Sequence, residues 1–377
     1  MAIINIMLKS GAKVVVVYLL WSNEPYRYLE RALLALSKQT YPKDQTEILI
    51  IYNAHKSEEQ SAFSFIQETV ALRLRSGQAL PHITMIEQQK NLGFSGGNNF
   101  GMKWAIDNGF DYVFLHNGDA YLDSECLEKL VEAMVSEQTI GATQALMLLH
   151  PETDLINTSG NHLHYLGFGY CGDYRRKIGE IILPEVKEIA YASGAAVMMR
   201  VDLLKQHGLW DEDYFLYHED TDYSLRLRLL GYKIVLASEA KFFHEYQFSK
   251  NSTKYFWLER NRLAILLCHW RWPTLLLLLP IWLLLEIGLW LFAFKSGWWR
   301  EKFRALCYWL KLSSWRFWLS KRCKIQTKRK ISDQDLLKIM SPTIHFAEGG
   351  INNPILRYIG NPLMWGYYKL LRFLVRW

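Results

Sequence analysis

The N-terminal part of the chain alternates strand-like and helix-like patterns of apolar residues. Lys13–Leu20 and Glu47–Tyr52 are continuous runs of β-branched and other apolar residues, which is typical of strands buried on both faces. Between them, residues 28–38 carry apolar side chains at helical spacing. A strand, a helix and a second strand at this spacing predict a βαβ unit and a parallel sheet.

This alternation continues to about residue 262 and predicts one α/β domain over residues 1–262. The further predicted elements are helices over 58–74, from a glycine-rich loop to 106 and over 223–231, strands at 83–87, 111–116, 193–200, 232–237 and 242–244, and irregular β-like pieces over 141–192.

Residues 263–377 have a different pattern. The stretch 273–294 is apolar with Glu286 as its single charge, and it is long enough to cross a hydrocarbon core of ~30 Å. Because Pro280 can break a helix and a mid-bilayer glutamate is costly, we expect a re-entrant or half-inserted helical hairpin. A buried helix of a soluble protein is the alternative. Residues 298–319 and 358–377 are predicted to be interfacial helices.

Charge divides the chain in the same way. Residues 295–377 contain 17 lysines and arginines against four acidic residues, a net charge of +13, whereas the rest carries −6. Tryptophan and leucine are dense among these basic residues, which favours an anionic membrane surface over nucleic acid as the partner. The positive-inside rule then predicts that this basic region of a cell-membrane protein lies on the cytoplasmic face. With a hairpin in place of a single crossing, residues 1–262 are expected on the same face.

The five cysteines are scattered and form no C-x-x-C pair. This spacing argues against a disulfide framework or a zinc site.

The stretch Trp210–Asp222 is the strongest candidate site. It places six carboxylates within thirteen residues that also include several aromatic side chains. The segment that follows predicts a helix ended by Gly231, so the last of these acids would lie at a helix N-terminus, where the dipole favours negative charge. An acidic first turn and an active site both account for this pattern.

Other polar segments follow predicted strands. Tyr52-Asn53, the glycine-rich segment Asn91–Gly101 and Asn117-Gly-Asp119 all come at carboxyl ends of strands, where open α/β sheets bind ligands. A carboxylate there can hold a divalent cation that bridges the oxygens of a diphosphate. Taken singly, an Asx turn and a helix-entry loop explain these segments equally well.

The order of the motifs carries a family resemblance. The matching segments are Gln39–Pro42, Asn91–Gly101, Asp111–Asp119, Ser193–Ala195, Gly208–Glu212, Phe215–Asp222, Arg226, Arg228, Gly231, His244 and Glu259–Asn261. In this order they resemble a family 2 glycosyltransferase with the GT-A fold, near the rhamnosyltransferase branch. The resemblance covers roughly residues 12–262. It implies a mixed, mostly parallel central sheet flanked by helices.

The resemblance also implies roles for single residues. Asp220 matches the catalytic base, with Glu219 supporting it. Asp119 and His244 match groups that approach the metal ion, which would be Mg²⁺ or Mn²⁺. The residues implied on the nucleotide-sugar side are Tyr52, Asn53, Gly97, Asn98, Asn117 and Asp119. The residues implied on the acceptor side are Trp210, Asp211 and Glu212.

The implied activity is inverting transfer of a sugar from a nucleotide-diphosphate donor to a lipid-linked or cell-surface polysaccharide acceptor. One position departs from the family: Tyr52 stands where an aspartate usually reads the nucleotide base. A catalytically inactive membrane scaffold with the same fold is therefore an alternative. A sugar-nucleotidyltransferase is another, but it would need a basic, glycine-rich triphosphate loop near the N-terminus, and Trp21–Pro25 has none.

Overall fold

The computed structural model describes residues 11–21, 24–53, 68, 80–245, 253–345 and 354–377. The helix predicted over 58–74 lies, apart from Glu68, outside the described residues. The strands are β1 Val14–Leu20, β2 Thr46–Tyr52, β3 His82–Glu87, β4 Tyr112–His116, β5 Ala120–Leu122, β6 Ile140–Leu149, β7 Ile156–Thr158, β8 Asn161–Leu163, β9 Gly169–Cys171, β10 Val186–Glu188, β11 Ala196–Arg200 and β12 Lys233–His244.

One mixed sheet organises the domain. Its strand order is β10-β12-β6-β11-β4-β1-β2-β3, with β5 paired to β12 and β7 paired to β6. The half that contains β3, β2, β1 and β4 is parallel, and β11 is antiparallel to both β4 and β6. Strands β8 and β9 form a separate antiparallel pair. The predicted α/β fold with a mixed, mostly parallel sheet is confirmed.

Strand β1 shows why the sheet is buried on both faces. Its even-numbered residues, such as Val14 and Val16, enter one hydrophobic cluster, and its odd-numbered residues, such as Val15 and Val17, enter another. Side chains of a strand alternate between faces, so a continuous apolar run supplies both clusters at once.

Helices flank this sheet and then form a C-terminal helical region. The helices are α1 Tyr26–Ser37, α2 Gly93–Asp107, α3 Cys126–Val135, α4 Val201–His207, α5 Glu219–Leu229, α6 Lys254–His269, α7 Trp272–Lys295, α8 Trp299–Trp309, α9 Leu312–Thr327, α10 Asp333–Ile339 and α11 Asn361–Leu374. Short 3₁₀ turns lie at Lys43–Gln45, Ile178–Glu180 and Glu212–Tyr214, and a π-helical turn lies at Leu356–Gly360.

Two of these helices begin earlier than the sequence pattern predicts. The glycine-rich segment is already helical from Gly93, and α5 begins at Glu219, so three acidic residues lie in its first turn. Negative charge at a helix N-terminus interacts favourably with the helix dipole, which a count of apolar residues does not detect.

Helix α7 is a single continuous helix of 24 residues with Pro280 inside it. Within the described residues it is one helix that is long and apolar enough to cross a membrane. Glu286 of this helix forms ion pairs with Arg262 of α6 and with Lys302 of α8. The predicted break at Pro280 is absent, and a turn at Gly297, where φ is +78°, separates α7 from α8.

Helix α6 joins the two parts of the chain. It extends across the boundary predicted at 262/263, and its residues share a hydrophobic cluster with both Tyr214 and Trp309. The C-terminal helical region thus packs directly against the segment that carries the acidic residues.

Candidate active site

The Asn117–Asp119 turn comes directly after β4 and is held by the pairing of β5 with β12. This pairing places Ala120 opposite His244. The side-chain amide of Asn117 donates to Asp119 Oδ1 at 2.5 Å, and His244 Nε2 lies 3.0 Å from the same oxygen. The turn therefore brings together the two residues predicted to be metal ligands.

The second nitrogen of the His244 ring bears on metal binding. His244 Nδ1 lies 3.0 Å from Asn157 Oδ1, and since an amide oxygen only accepts, Nδ1 carries the proton. The other ring nitrogen, Nε2, faces the Asp119 carboxylate, so a divalent cation bound there would have a ring nitrogen and a carboxylate oxygen as neighbouring ligands. An imidazole whose far N–H is bound to an amide oxygen is a common metal ligand, so Asp119 and His244 fit a divalent cation.

The charge state of Asp119 suits this role. Burial raises the pKa of Asp119, but the hydrogen bond and charge of His244 outweigh burial and lower that pKa below its ordinary value. Its side chain is 33% exposed, against 7% for His244. Within the described residues no group of three or more His, Cys, Asp or Glu side chains could hold a metal ion.

Glu24 is an acidic residue near this turn that the sequence prediction missed. It lies between β1 and α1, where its carboxyl group contacts the Tyr18 hydroxyl and covers Gly118, leaving no room for a Cβ there. The Tyr18 hydroxyl also lies 2.9 Å from Gly118 O. One hydroxyl proton cannot serve both acceptors, and burial raises the pKa of Glu24 to about 7. No local sequence pattern predicts that the Glu24 side chain is partly buried.

Asp220 lies in the first turn of α5, and its carboxylate is firmly placed. Its Oδ2 accepts from the Gly194 backbone N–H at 3.1 Å, and its Oδ1 accepts from the Thr221 backbone N–H at 2.6 Å and from the Thr221 hydroxyl at 3.2 Å. Burial raises the pKa of Asp220, and these hydrogen bonds oppose that shift only in part. A carboxylate with a raised pKa is a better proton acceptor near neutral pH.

Glu219 is more deeply buried than Asp220. Its side chain is only 3% exposed, and Oε2 has no hydrogen-bond partner in the described part of the chain. Burial, and then the negative charge of Asp220, raise the pKa of Glu219 well above its ordinary value. The two neighbouring carboxyl groups therefore compete for protons, which is a frequent property of acid–base sites.

A three-residue turn, Ser193–Ala195, connects the two groups of candidate residues. It precedes β11, whose Ala196 pairs with His116 at the end of β4. The Asn117 backbone N–H donates to Ala195 O at 3.0 Å, while the Gly194 N–H donates to Asp220. The Asn117–Asp119 turn and the candidate base are therefore bonded to adjacent residues of one tripeptide.

The residues predicted on the acceptor side have contacts with two other helices. The Trp210 backbone and Glu212 Oε1 are hydrogen-bonded to the Asn99 side chain of α2, the latter at 3.0 Å. The Asp211 carboxylate forms an ion pair with Lys321 of α9. The acidic loop is thus held by the α/β domain on one side and by the C-terminal helical region on the other.

Two residues predicted on the nucleotide side lie at the end of β2. The side chain of Tyr52 is 3% exposed and belongs to the hydrophobic core, which leaves little of its ring surface for stacking on a base. Asn53 is fully buried, its Oδ1 accepting from Leu92 N at 2.9 Å and its Nδ2 donating to Gly93 O at 3.0 Å. Asn53 therefore fixes the start of α2 to the sheet.

Gly97 and Asn98, the other two residues predicted there, lie inside α2. A Cβ on Gly97 would come within 2.5 Å of Leu19, so glycine allows α2 to lie close to β1. The Asn98 side chain donates to Phe94 O one turn earlier at 3.0 Å. Both contacts shape α2 and its packing against the sheet. The sequence pattern does not predict these packing roles of Gly97 and Asn98.

The chain matches a known protein family over its α/β domain. Residues 13–264 match the family described as "Glycosyltransferase like family 2". The low-salt glycan biosynthesis hexosyltransferase Agl10 of Haloferax volcanii is 24% identical over 208 residues, which cover 51% of this chain and 64% of that protein. The chain thus matches less than two thirds of the length of this curated relative.

Solved structures are similar in fold at low identity. A crystal structure of GalNAc-T7 with UDP, GalNAc and Mn²⁺ has a TM-score of 0.52 and 14% identity, over 69% of this chain and 48% of that chain. The mannosyltransferase PcManGT from Pyrobaculum calidifontis, in complex with GDP-Man and Mn²⁺, has a TM-score of 0.47 and 11% identity over 96% of this chain and 87% of that chain, too distant to support an argument. The likeness to GalNAc-T7 confirms the GT-A-type fold.

Proposed function

The chain belongs to the family described as glycosyltransferase-like family 2, and we propose that it is an inverting glycosyltransferase. The proposed donor is a nucleotide-diphosphate sugar, and the proposed acceptor is a lipid-linked or cell-surface polysaccharide. The main support is that Asp220 and the Asn117–Asp119 turn bond to adjacent residues of Ser193–Ala195. The description of Agl10 as a glycan biosynthesis hexosyltransferase favours a hexose and a glycan acceptor.

In this proposal Asp220 is the general base. Its carboxylate accepts the proton of the acceptor hydroxyl while that oxygen forms a bond to the anomeric carbon. The bond between this carbon and the diphosphate breaks, and the nucleoside diphosphate leaves with the electron pair. Attack from the face opposite the leaving group inverts the anomeric centre. Glu219 supports Asp220 from the adjacent position: the charge of Asp220 raises the pKa of Glu219, so the two carboxyl groups titrate together.

Asp119 and His244 would hold the divalent cation, Mg²⁺ or Mn²⁺. When bound there, the cation offsets the negative charge that develops on the diphosphate. The Asn117 side chain orients Asp119 through its hydrogen bond to Oδ1, and Asn157 orients His244. GalNAc-T7, which shares the fold, was crystallised with UDP and Mn²⁺.

A thermal-shift panel of nucleoside diphosphates, with and without Mn²⁺, tests the proposal. We expect at least one of them to raise the melting temperature only when Mn²⁺ is present. Asp154→Asn, which removes an exposed carboxylate elsewhere, is the matched control and should behave like the wild type. If no nucleoside diphosphate stabilises the chain in a metal-dependent way, the transferase proposal is wrong.

We also propose that the C-terminal helical region lies on an anionic membrane surface. All but four of the large hydrophobic side chains that are exposed in the described residues lie between 272 and 374. Those on α7 are Trp272, Leu276, Leu279, Leu283, Leu284, Ile287, Leu291 and Phe294. Exposed apolar residues next to many basic ones match a bilayer interface with anionic headgroups.

The contacts of Glu286 favour half-insertion over a crossing. Glu286 lies mid-way along α7 and pairs with Arg262 and Lys302, while Glu259 pairs with the same two cations. Breaking a buried pair of this kind costs about 3–5 kcal/mol, so the middle of α7 stays bound to α6 and α8. One face of α7 is therefore covered by protein, and only the other face is free to enter lipid.

Flotation with vesicles tests whether the C-terminal helical region binds an anionic membrane surface. The chain should float with vesicles that contain anionic phospholipid and only weakly with neutral ones. In sealed vesicles of known orientation, a C-terminal tag and the α/β domain should be cleaved by protease from the same, cytoplasmic side. A tag and a domain on opposite sides would show that α7 crosses the membrane.

A further inference from the structure

The segment that leads into α5 has an unfavourable backbone conformation. Phe215, Tyr217 and His218 have φ values of 61°, 65° and 72°, although none of them is glycine. Residues with positive φ other than glycine persist only where surrounding contacts hold them. Because Glu219 and Asp220 follow at once, the path of this segment sets the direction of both carboxylates.

One buried side chain supplies most of these contacts. Asn261 of α6 is fully buried, and its amide NH₂ donates to Tyr214 O at 3.0 Å, to Leu216 O at 3.0 Å and to Tyr217 O at 2.7 Å. Its Oδ1 accepts from Arg260 Nε at 2.8 Å. The two N–H groups of this amide are thus shared among three backbone carbonyl oxygens of the segment, of which Tyr214 O also accepts from Leu216 N at 2.7 Å.

Arg260 completes the arrangement from the same helix. Its guanidinium donates to Tyr214 O at 3.1 Å and to Asp213 O, and its planar face lies over Trp257 at 4.4 Å from the ring centroid. Trp257 in turn stacks on Phe215, at 4.8 Å between ring centroids. The turn of α6 at 257–261 therefore contacts the loop from Asp213 to Tyr217.

We propose that Asn261 is a positioning residue, which holds the segment 214–218 so that Asp220 meets the Ser193–Ala195 turn. The first helical hydrogen bond of α5, from Asp222 N to His218 O at 2.7 Å, starts from the carbonyl of this segment. A rotation at His218 would move Asp220 away from Gly194 N. This proposal rests on the proposed function, in which Asp220 is the base.

Two substitutions separate positioning from simple stability. Asn261→Ala removes both donors, and Asn261→Asp keeps the shape but turns acceptors towards three carbonyl oxygens. Asn361→Ala is the matched control, since Asn361 is also buried and bonds to both backbone groups of Ile344, far along the chain from the acidic loop. All three variants should melt at lower temperatures than the wild type.

The expected kinetic result is specific to position 261. A displacement of about 1 Å in a reacting group lowers rates by about 100-fold, so kcat of the Asn261 variants should fall by about that factor. KM for the nucleotide sugar should change less than about threefold. Asn361→Ala should keep kcat per folded molecule. Equal loss of kcat in the Asn361 and Asn261 variants would overturn the proposal.

A second measurement does not depend on the reaction. Hydrogen exchange of the peptide that covers 211–222 should be faster in Asn261→Ala than in the wild type, and unchanged in Asn361→Ala. Unchanged exchange in the Asn261 variants would overturn the positioning role. If the wild type transfers no sugar but Asn261→Ala still shows faster exchange, the proposed function fails while the positioning of the segment stands.

Discussion

The two sides of the candidate site are built in different ways. The proposed diphosphate side, which consists of the Asn117–Asp119 turn and His244, is formed where strands of the sheet end, and strand pairing sets its geometry. The proposed base side, residues 210–222, is a loop with positive φ values and the first turn of α5, and side chains of α2, α6 and α9 hold that loop in place.

The two sides therefore depend on different parts of the chain. Backbone hydrogen bonds between strands fix where each strand ends, so the diphosphate side depends little on contacts from outside the α/β domain. The base side needs Asn261 of α6 and Lys321 of α9, which lie at or beyond the boundary with the C-terminal helical region. We therefore expect changes in that region to lower the rate of transfer and to leave donor binding intact.

The largest expected effect comes from removing the base. Asp220→Asn should lower kcat by about 1,000-fold, because general-base catalysis contributes about 10²–10⁴. Binding of the nucleoside diphosphate should stay within about twofold, since Asp220 belongs to the base side. Asp202→Asn is the control, as it removes another acid from the first turn of a helix. Loss of nucleotide binding in Asp220→Asn would show that the two sides are not separate.

The next largest effect concerns Glu24 on the diphosphate side. Its pKa is about 7 in the folded chain against an ordinary 4.5. Between these values the folded state keeps a proton that the unfolded state releases, so the free energy of unfolding should fall as pH rises from 4.5 to 7. The full change is roughly 3 kcal/mol.

Urea unfolding at pH 5 and pH 8, without metal or nucleotide, measures this dependence. Glu24→Gln keeps a donor for the Tyr18 hydroxyl and should remove most of the decrease in the free energy of unfolding between pH 5 and pH 8. Glu180→Gln, at an exposed position, should keep it. A wild type as stable at pH 8 as at pH 5 would contradict the buried, protonated state of Glu24.

The third effect tests the diphosphate side directly. Asp119→Asn should remove the metal-dependent stabilisation by the nucleoside diphosphate, which is worth about 2.7 kcal/mol at a ligand concentration 100 times Kd. Hydrogen exchange of residues 211–222 should stay the same, because the turn contacts Ser193–Ala195 through the Asn117 backbone, which Asp119→Asn leaves unchanged. Faster exchange there would show that the Asn117–Asp119 turn also holds the base side.

The smallest effect comes from the C-terminal helical region. Lys321→Met removes the ion pairs to Asp211 and Asp213, which should lower stability by less than about 1 kcal/mol because such pairs near the surface are weak. We expect kcat to fall by roughly two- to tenfold, with nucleotide binding unchanged. Lys338→Met, which breaks an exposed pair with Asp335, should change neither. A loss of binding equal to the loss of kcat would contradict the division.

The sequence predicts that the Asn117–Asp119 turn follows a buried strand, because that placement depends on local pattern. A continuous apolar run such as Tyr112–His116 predicts a buried strand, and the polar residues after it must lie at the carboxyl end of that strand. The i,i+4 spacing of Asp222 and Arg226 likewise predicts their ion pair, which is present at 2.7 Å. Both inferences use only neighbours in sequence.

The base side could be located from the sequence but not explained by it. The acidic residues mark the segment, yet its positive φ values and the three carbonyls held by Asn261 arise from contacts between distant elements. The same holds for α7, where Pro280 and Glu286 predict a break, and ion pairs with α6 and α8 accompany a continuous helix.

By itself the sequence determined the strands, the order of the motifs and the apolar, basic character of residues 263–377, because these depend on periodicity and composition. Only the tertiary structure decided which acids are buried and which side chains hold the loop before α5. Burial and hydrogen bonding of a side chain depend on what packs against it, and for the base side that partner is α6, more than forty residues further along the chain.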